Sequence, residues 1–145
     1  MISLSYNNMQ KRDIIMSHYL NPSFKKEEIE NKIVKHGETC ADYLEFEYEV
    51  KDNKIANIHF NGKGCAFFIA STDILCSYLE GMKIDELPCF IEKYEKLLNG
   101  EITDQKELEE LGELAVFDNV KQHYNRLNCA LMLIKSLKER TQNEK

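Results

Sequence analysis

Apolar positions recur along this chain with a period that changes, and the changes divide it into α, then β, then α. From Met9 to Leu20, residues Ile14, Ile15, His18 and Tyr19 fall on one side of a helix that Asn7 or Asn8 can cap, and Asn21-Pro22 stops it. Pro22 to Thr39 is polar and rich in Lys and Glu; its apolar pair, Ile33 and Val34, predicts a mobile connection carrying at most a short strand. Tyr43 to Val50 alternates, with Leu44, Phe46, Tyr48 and Val50 pointing one way and Glu45, Glu47 and Glu49 the other, the spacing of a half-buried strand. Lys51 to Lys54 reads as a hairpin turn, Ala56, Ile58 and Phe60 resume the alternation, and Asn61-Gly62-Lys63-Gly64 breaks it.

Beyond Gly64 the period becomes helical. Ala66 to Glu80 is apolar nearly all round, which predicts a central buried helix closed by Gly81. Asp85 to Leu98 carries Phe90, Ile91, Tyr94, Leu97 and Leu98 at helical spacing, with Pro88 tolerated in the first turn and Asn99-Gly100 as the stop. Glu101 to Tyr124 is acidic, with Leu108, Leu111, Leu114 and Phe117 at intervals of three, and predicts a short helix and a loop. Its run Glu107, Glu109, Glu110 and Glu113 reads as a solvated face. Arg126 to Arg140 is an amphipathic helix presenting Leu127, Leu131, Ile134 and Leu137. The predicted fold class is α/β in the α+β sense: one domain over residues 1–145, with a small antiparallel sheet of about three strands covered by helices.

Charge and composition narrow the function classes. The net charge of -6, with no stripe of Lys and Arg, argues against nucleic-acid binding. Met1 to Arg12 lacks the apolar core of a secretory signal and no apolar run reaches membrane-spanning length, so the expectation is a cytoplasmic protein without a membrane partner. In that compartment thiols stay reduced, and five cysteines, an odd number, point to metal binding or chemistry before structural disulfides.

Three of those cysteines share a setting: Cys40 in Gly37-Glu38-Thr39-Cys40-Ala41-Asp42, Cys65 in Gly62-Lys63-Gly64-Cys65-Ala66, and Cys129 in Arg126-Leu127-Asn128-Cys129-Ala130. With Asp42 they make a set of four ligands. Three thiolates and a carboxylate suit a tetrahedral zinc ion, and they can equally hold iron or part of an iron-sulfur cluster. The expected placement is at element ends: Cys40 and Asp42 before a strand, Cys65 on a glycine loop ahead of the central helix, Cys129 in the first turn of the last helix. Gly62 and Gly64 would let the backbone turn tightly beside an ion, and the two helix N-termini would favour thiolate over thiol. Cys76 and Cys89 lie in helical patterns and read as packing residues. His36, His59 and His123 read as polar-face or loop residues.

These motifs in this order, preceded by Met16-Ser17-His18-Tyr19-Leu20-Asn21-Pro22 and followed after Cys65 by Ala70-Ser71, resemble the IscU/NifU N-terminal family of iron-sulfur cluster assembly proteins, with a SufE/NifU-like fold, from about Ile14 to Lys138. The chain looks most like the SufU branch. The acidic segment around Glu101 to Gln122 is one that scaffold members lack. Asn128 stands where bacterial scaffold proteins typically have histidine, Arg126 occupies the place of the SufU arginine, and no Leu-Pro-Pro-Val-Lys motif precedes Cys129.

The resemblance implies a zinc-dependent sulfur acceptor with Cys40, Asp42, Cys65 and Cys129 as metal ligands. Cys40 would take sulfur from the persulfide of a PLP-dependent cysteine desulfurase, and Arg126 would orient the site or contact that partner. A desulfurase histidine would take over a zinc position and free the Cys40 thiolate, and downstream assembly or apo-acceptor proteins would receive the sulfur. The alternative it implies is a scaffold on which a 2Fe-2S cluster is built and transferred, with Cys129 as sulfur acceptor and Asp42 promoting release; a weaker alternative is a structural zinc protein. The chain departs from the family at Ala41, where glycine is usual, at Phe67-Phe68 in place of small residues, and at Asp73 in place of another small one.

Overall fold

The computed structural model describes residues 7–30, 32–36, 42–102, 104–118 and 124–143, leaving the side chains of 124–126 and 141–143 undescribed. In chain order it runs α1 (Asn8–Leu20), β1 (Ile33–His36), β2 (Tyr43–Lys51), β3 (Lys54–Lys63), α2 (Ala66–Leu79), α3 (Leu87–Leu98), α4 (Gln105–Leu111) and α5 (Tyr124–Asn143), with 3-10 turns at Ile84–Glu86 and Gly112–Phe117. The α+β class predicted from the pattern is the one found.

The strands form an antiparallel sheet in the order β1-β2-β3. Its inner face presents Leu44, Phe46, Ile55, Ile58 and Phe60, all fully buried, to a core built with Phe68, Ile74, Leu75 and Leu79 of α2. Each such side chain contributes about 1.5–3 kcal/mol of burial, so this layer fixes where α2 starts and therefore where Cys65 sits. The alternation in β3 differs from the predicted one. Ile55, not Ala56, faces the core, because β3 carries an extra residue opposite β2 between Glu47 and Glu49, with Asn57 at φ 54°. A bulge of this kind shifts the phase of the strand beyond it. The strand also runs on through Asn61 and Gly62 to Lys63, where a break was expected.

The short strand expected after α1 is β1, and the described residues ahead of it are anchored to the sheet. Phe24 C=O accepts from Phe60 N–H at 3.0 Å, and Lys26 N–H donates to Phe60 C=O at 2.8 Å, so residues 24–26 line the outer edge of β3. The chain then crosses the outer face of the sheet towards β1. It buries Ile29, Glu27 C=O accepts from the Asn61 side chain, and Lys26 and Lys32 approach Glu47 and Glu45. Polar side chains of the sheet's outer face anchor a segment whose own apolar content is too low to announce it.

α1 is capped by Asn7: its Oδ1 accepts from Gln10 N–H at 2.8 Å while Gln10 Oε1 accepts from Asn7 N–H at 3.0 Å, a reciprocal cap. Among its described side chains Ile15 is the buried one, and Met9 and Leu20 stand 74% and 65% exposed. α2 is buried nearly all round, as expected of the central helix, and ends at Gly81 with φ 84°. α3 begins two residues later than predicted, after the Ile84–Glu86 turn, with Pro88 in its first turn. The acidic segment forms α4 and then a 3-10 turn that buries Leu114, Ala115, Val116 and Phe117. α5 begins at Tyr124, two residues before the predicted start.

Candidate metal centre

Three of the four predicted ligands come together. Donor atoms of Asp42, Cys65 and Cys129 all lie within 4.8 Å of one another. Asp42 precedes β2, Cys65 is the N-cap of α2 with extended backbone (φ -73°, ψ 168°), and Cys129 projects from α5. The two sulfurs are 3.4 Å apart, and Cys65 N–H donates to Asp42 Oδ1 at 3.3 Å. Cys40 and Ala41 fall outside the described residues, and Arg126 lies on the first turn of α5 with its side chain undescribed.

The donor set fits a metal ion on evidence independent of its residue types. Asp42 is 5% exposed, and its Oδ2 is buried with no hydrogen-bond partner among the described residues. A buried carboxylate oxygen left in that state costs free energy unless a cation or donor meets it. Its other oxygen accepts from the Cys65 amide, and a carboxylate oxygen of Asp42 lies within 4.8 Å of both sulfurs. Asp42, Cys65 and Cys129 would be the ligands held here, and zinc would supply the charge that keeps thiols ionised.

The glycines of the loop work by absent volume. Neither Gly62 nor Gly64 has positive φ, so the tight turn expected of them is not what they provide. A Cβ on Gly64 would strike Asp42 Oδ1 and come within 2.7 Å of Asp42 Cγ and 2.6 Å of Phe68 Cδ2. On Gly62 it would strike Tyr43 O. Hydrogen at Gly64 therefore lets the carboxylate press against the loop, with fully buried Phe68 as the wall behind it. The bulky Phe68, noted in the sequence only as a departure, is thus part of the cradle.

The electrostatics split the two cysteines. Cys65 is lowered to about 6: the Cys129 thiol hydrogen-bonds to it, burial opposes this, and the amides of Phe68 and Phe67 at the start of α2 add to the lowering. Cys129 is raised, chiefly because it keeps the proton shared with Cys65, then by burial and by Asp42. The lowering expected at both helix starts therefore holds for Cys65 and is reversed for Cys129. With α5 starting at Tyr124, Cys129 sits in the second turn, past the reach of the terminal amides.

Among the described residues the cluster holds Asp42, Cys65 and Cys129 and none of the other cysteines or histidines. Cys76 is fully buried and Cys89 is exposed. His36 is exposed at the end of β1 with its ring 5.1 Å from that of Tyr43, His59 lies on β3, and His123 is outside the described residues. The acidic run is solvent-facing as expected, with Glu109, Glu110 and Glu113 exposed; Glu110 pairs with Lys93 at 2.6 Å and Glu113 with His18 at 3.0 Å. Among the described residues no helix is long and apolar enough to cross a membrane.

A cradle of this kind, on a three-stranded antiparallel sheet backed by helices, makes an α+β domain with a candidate metal centre. The chain belongs to the NifU-like N-terminal domain family, which it matches over residues 10–130. It is 23% identical over 133 residues to the iron-sulfur cluster assembly scaffold protein IscU of Thermotoga maritima, covering 90% of this chain and 92% of that protein. It is 25% identical over 101 residues to IscU of Streptococcus pyogenes serotype M1, covering 70% and 62%. Its fold is similar to the crystal structure of a candidate iron-sulfur cluster assembly scaffold protein for the SUF system, SufU of Fervidobacterium islandicum, with a TM-score of 0.73, 24% identity and 92% and 93% coverage.

Proposed function

We propose that this protein acts in iron-sulfur cluster assembly as a zinc-dependent sulfur acceptor of SufU type, taking persulfide sulfur from a PLP-dependent cysteine desulfurase. The observation that carries this reading is the buried Asp42 carboxylate, one oxygen unsatisfied, with its donor atom within 4.8 Å of the Cys65 and Cys129 sulfurs. Cys40 stands two residues from Asp42 in the chain, a span of at most ~7 Å, so it can complete the ligand set. Zinc at this site would hold the thiols as thiolates. The Cys40 thiolate attacks the outer sulfur of the desulfurase persulfide; the new S–S bond forms at Cys40 as the old one breaks, and the desulfurase cysteine leaves as thiolate. Asp42, Cys65 and Cys129 would keep the metal in place, Arg126 would orient the site or contact the partner, and downstream assembly or acceptor proteins would receive the sulfur.

The names of the relatives support a second reading, a scaffold that carries a 2Fe-2S cluster on the same residues. Metal content after anaerobic purification separates the two: about one zinc per chain fits the sulfur acceptor, and a brown, iron-loaded protein fits the scaffold. Desulfurase turnover is then measured with wild type and with Cys40→Ala. Stimulation and a persulfide on Cys40, both lost in the variant, are the expected results. A wild type that neither stimulates the desulfurase nor gains persulfide rules the sulfur-acceptor reading out.

A further inference from the structure

Away from the metal centre, the ring of His18 near the end of α1 lies between two carboxylates from different parts of the chain. Nδ1 is 2.7 Å from Asp73 Oδ2 on α2, and Nε2 is 3.0 Å from Glu113 Oε1 in the Gly112–Phe117 turn. An ionised carboxylate only accepts hydrogen bonds, so both contacts are satisfied together only when both ring nitrogens carry protons. Asp73 is 1% exposed in the middle of the apolar α2, and its Oδ1 accepts from Phe24 N–H at 2.8 Å. It therefore gathers α1 and the start of the crossing segment onto α2. The sequence placed His18 on the apolar side of α1 and Asp73 at a position where the family has a small residue; their pairing across 55 residues was not visible there.

These polar contacts add to a small apolar face, Ile15 with Ile14 packed against the core. Ile15 is the side chain it buries among those described, and a second ion pair, Lys11 to Asp118 at 2.7 Å, holds its other end. We propose that His18 is a proton-operated clasp fastening α1 to α2 and to the Gly112–Phe117 turn, closed with both ring nitrogens protonated and loosened when one proton is lost. The clasp stands whether or not the metal centre has the function proposed above.

The sign follows from the surroundings. Burial acts to lower the His18 pKa, but the hydrogen bonds and charges of Asp73 and Glu113 outweigh it, and the value is raised above its ordinary one. The stabilisation is fully present below the unfolded value of about 6.5 and is lost as pH rises through the raised folded value. Loss of the Nε2 proton leaves a lone pair facing Glu113, while Nδ1–H can still serve Asp73. Opening therefore begins at the turn.

The test uses the full-length chain. The ring nitrogens of His18 are followed by 15N NMR from pH 5.5 to 9, and amide-exchange protection of α1 is measured relative to α3, a ratio that cancels the intrinsic pH dependence of exchange. Relative protection of α1 should fall by on the order of tenfold for each unit by which the docked value exceeds the free one. Glu113→Gln, at a half-exposed position that leaves the core intact, should lower the His18 midpoint and flatten that fall. A His18 midpoint at or below 6.5, α1 protection unchanged across the titration, or a Glu113→Gln variant indistinguishable from wild type would each overturn the clasp.

Discussion

The Cys65 and Cys129 sulfurs lie 3.4 Å apart although 64 residues separate them, one at the N-cap of α2 and the other inside α5. The sulfurs are within hydrogen-bonding reach of each other, and Asp42 closes the third side. If this is the metal centre, Cys65→Ser and Cys129→Ser should each lower zinc affinity by at least on the order of 100-fold, since partners in the outer shell alone are worth 10–100-fold. Competition against a chromophoric chelator reads this directly. Affinity left unchanged in either variant would place the ion elsewhere.

Gly64 and Gly81 separate cradle from backbone strain. Gly64→Ala puts a methyl group into Asp42 and Phe68, and should cost about 1–3 kcal/mol and weaken metal binding, because the carboxylate must move. Gly81→Ala meets open space but has φ 84°, so it should cost about 1–2 kcal/mol and leave metal affinity as it was. Denaturation midpoints and metal titrations on the pair test this. Equal losses of affinity would mean that Asp42 does not rest on Gly64.

In metal-free protein the lowered Cys65 is thiolate above about pH 6, and Cys129 keeps its proton. Alkylation resolved by peptide mass spectrometry should therefore label Cys65 with a midpoint near 6. Cys129 should stay slow throughout the neutral range. Faster labelling of Cys129 than of Cys65 at pH 7 would reverse the proton assignment.

Tyr94 is fully buried on α3, and its hydroxyl donates to Ala130 C=O at 2.8 Å, one residue past Cys129. Tyr94→Phe removes that donor at little change of volume. The expected loss is about 1 kcal/mol, read from a urea midpoint with unchanged slope. A stability equal to wild type would show that the carbonyl is served fully by its own helix.

The hairpin and the central helix were legible because burial there follows period 2 and then wraps all faces, as with Leu44 and Phe46 and later Ile74 and Leu75. The phase of β3 was not, since one extra residue near Asn57 shifts it without changing composition. Asp42, Cys65 and Cys129 were legible from the cysteine settings, and the structure brings them together. Cys40 and the Arg126 side chain lie outside the described residues. Phe68 and Gly64 could be named from sequence but not assigned their contact. The crossing segment was hidden because it is held by backbone and charge, through Phe24, Lys26 and Lys32, with little apolar signal beyond Ile29.

That crossing segment also decides how this sheet meets other chains. By occupying the amide and carbonyl of Phe60, residues 24–26 guard the β3 rim against the edge-to-edge pairing that leads to aggregation. On the opposite side the rim is β1, four residues long and bearing Lys35, continued by the Glu47–Lys51 end of β2 that β1 does not reach; its short length and charged side chains oppose templating a fibril. β1 ends at His36, opposite Tyr43, so the accessible border of the sheet closes next to Asp42 of the candidate metal centre.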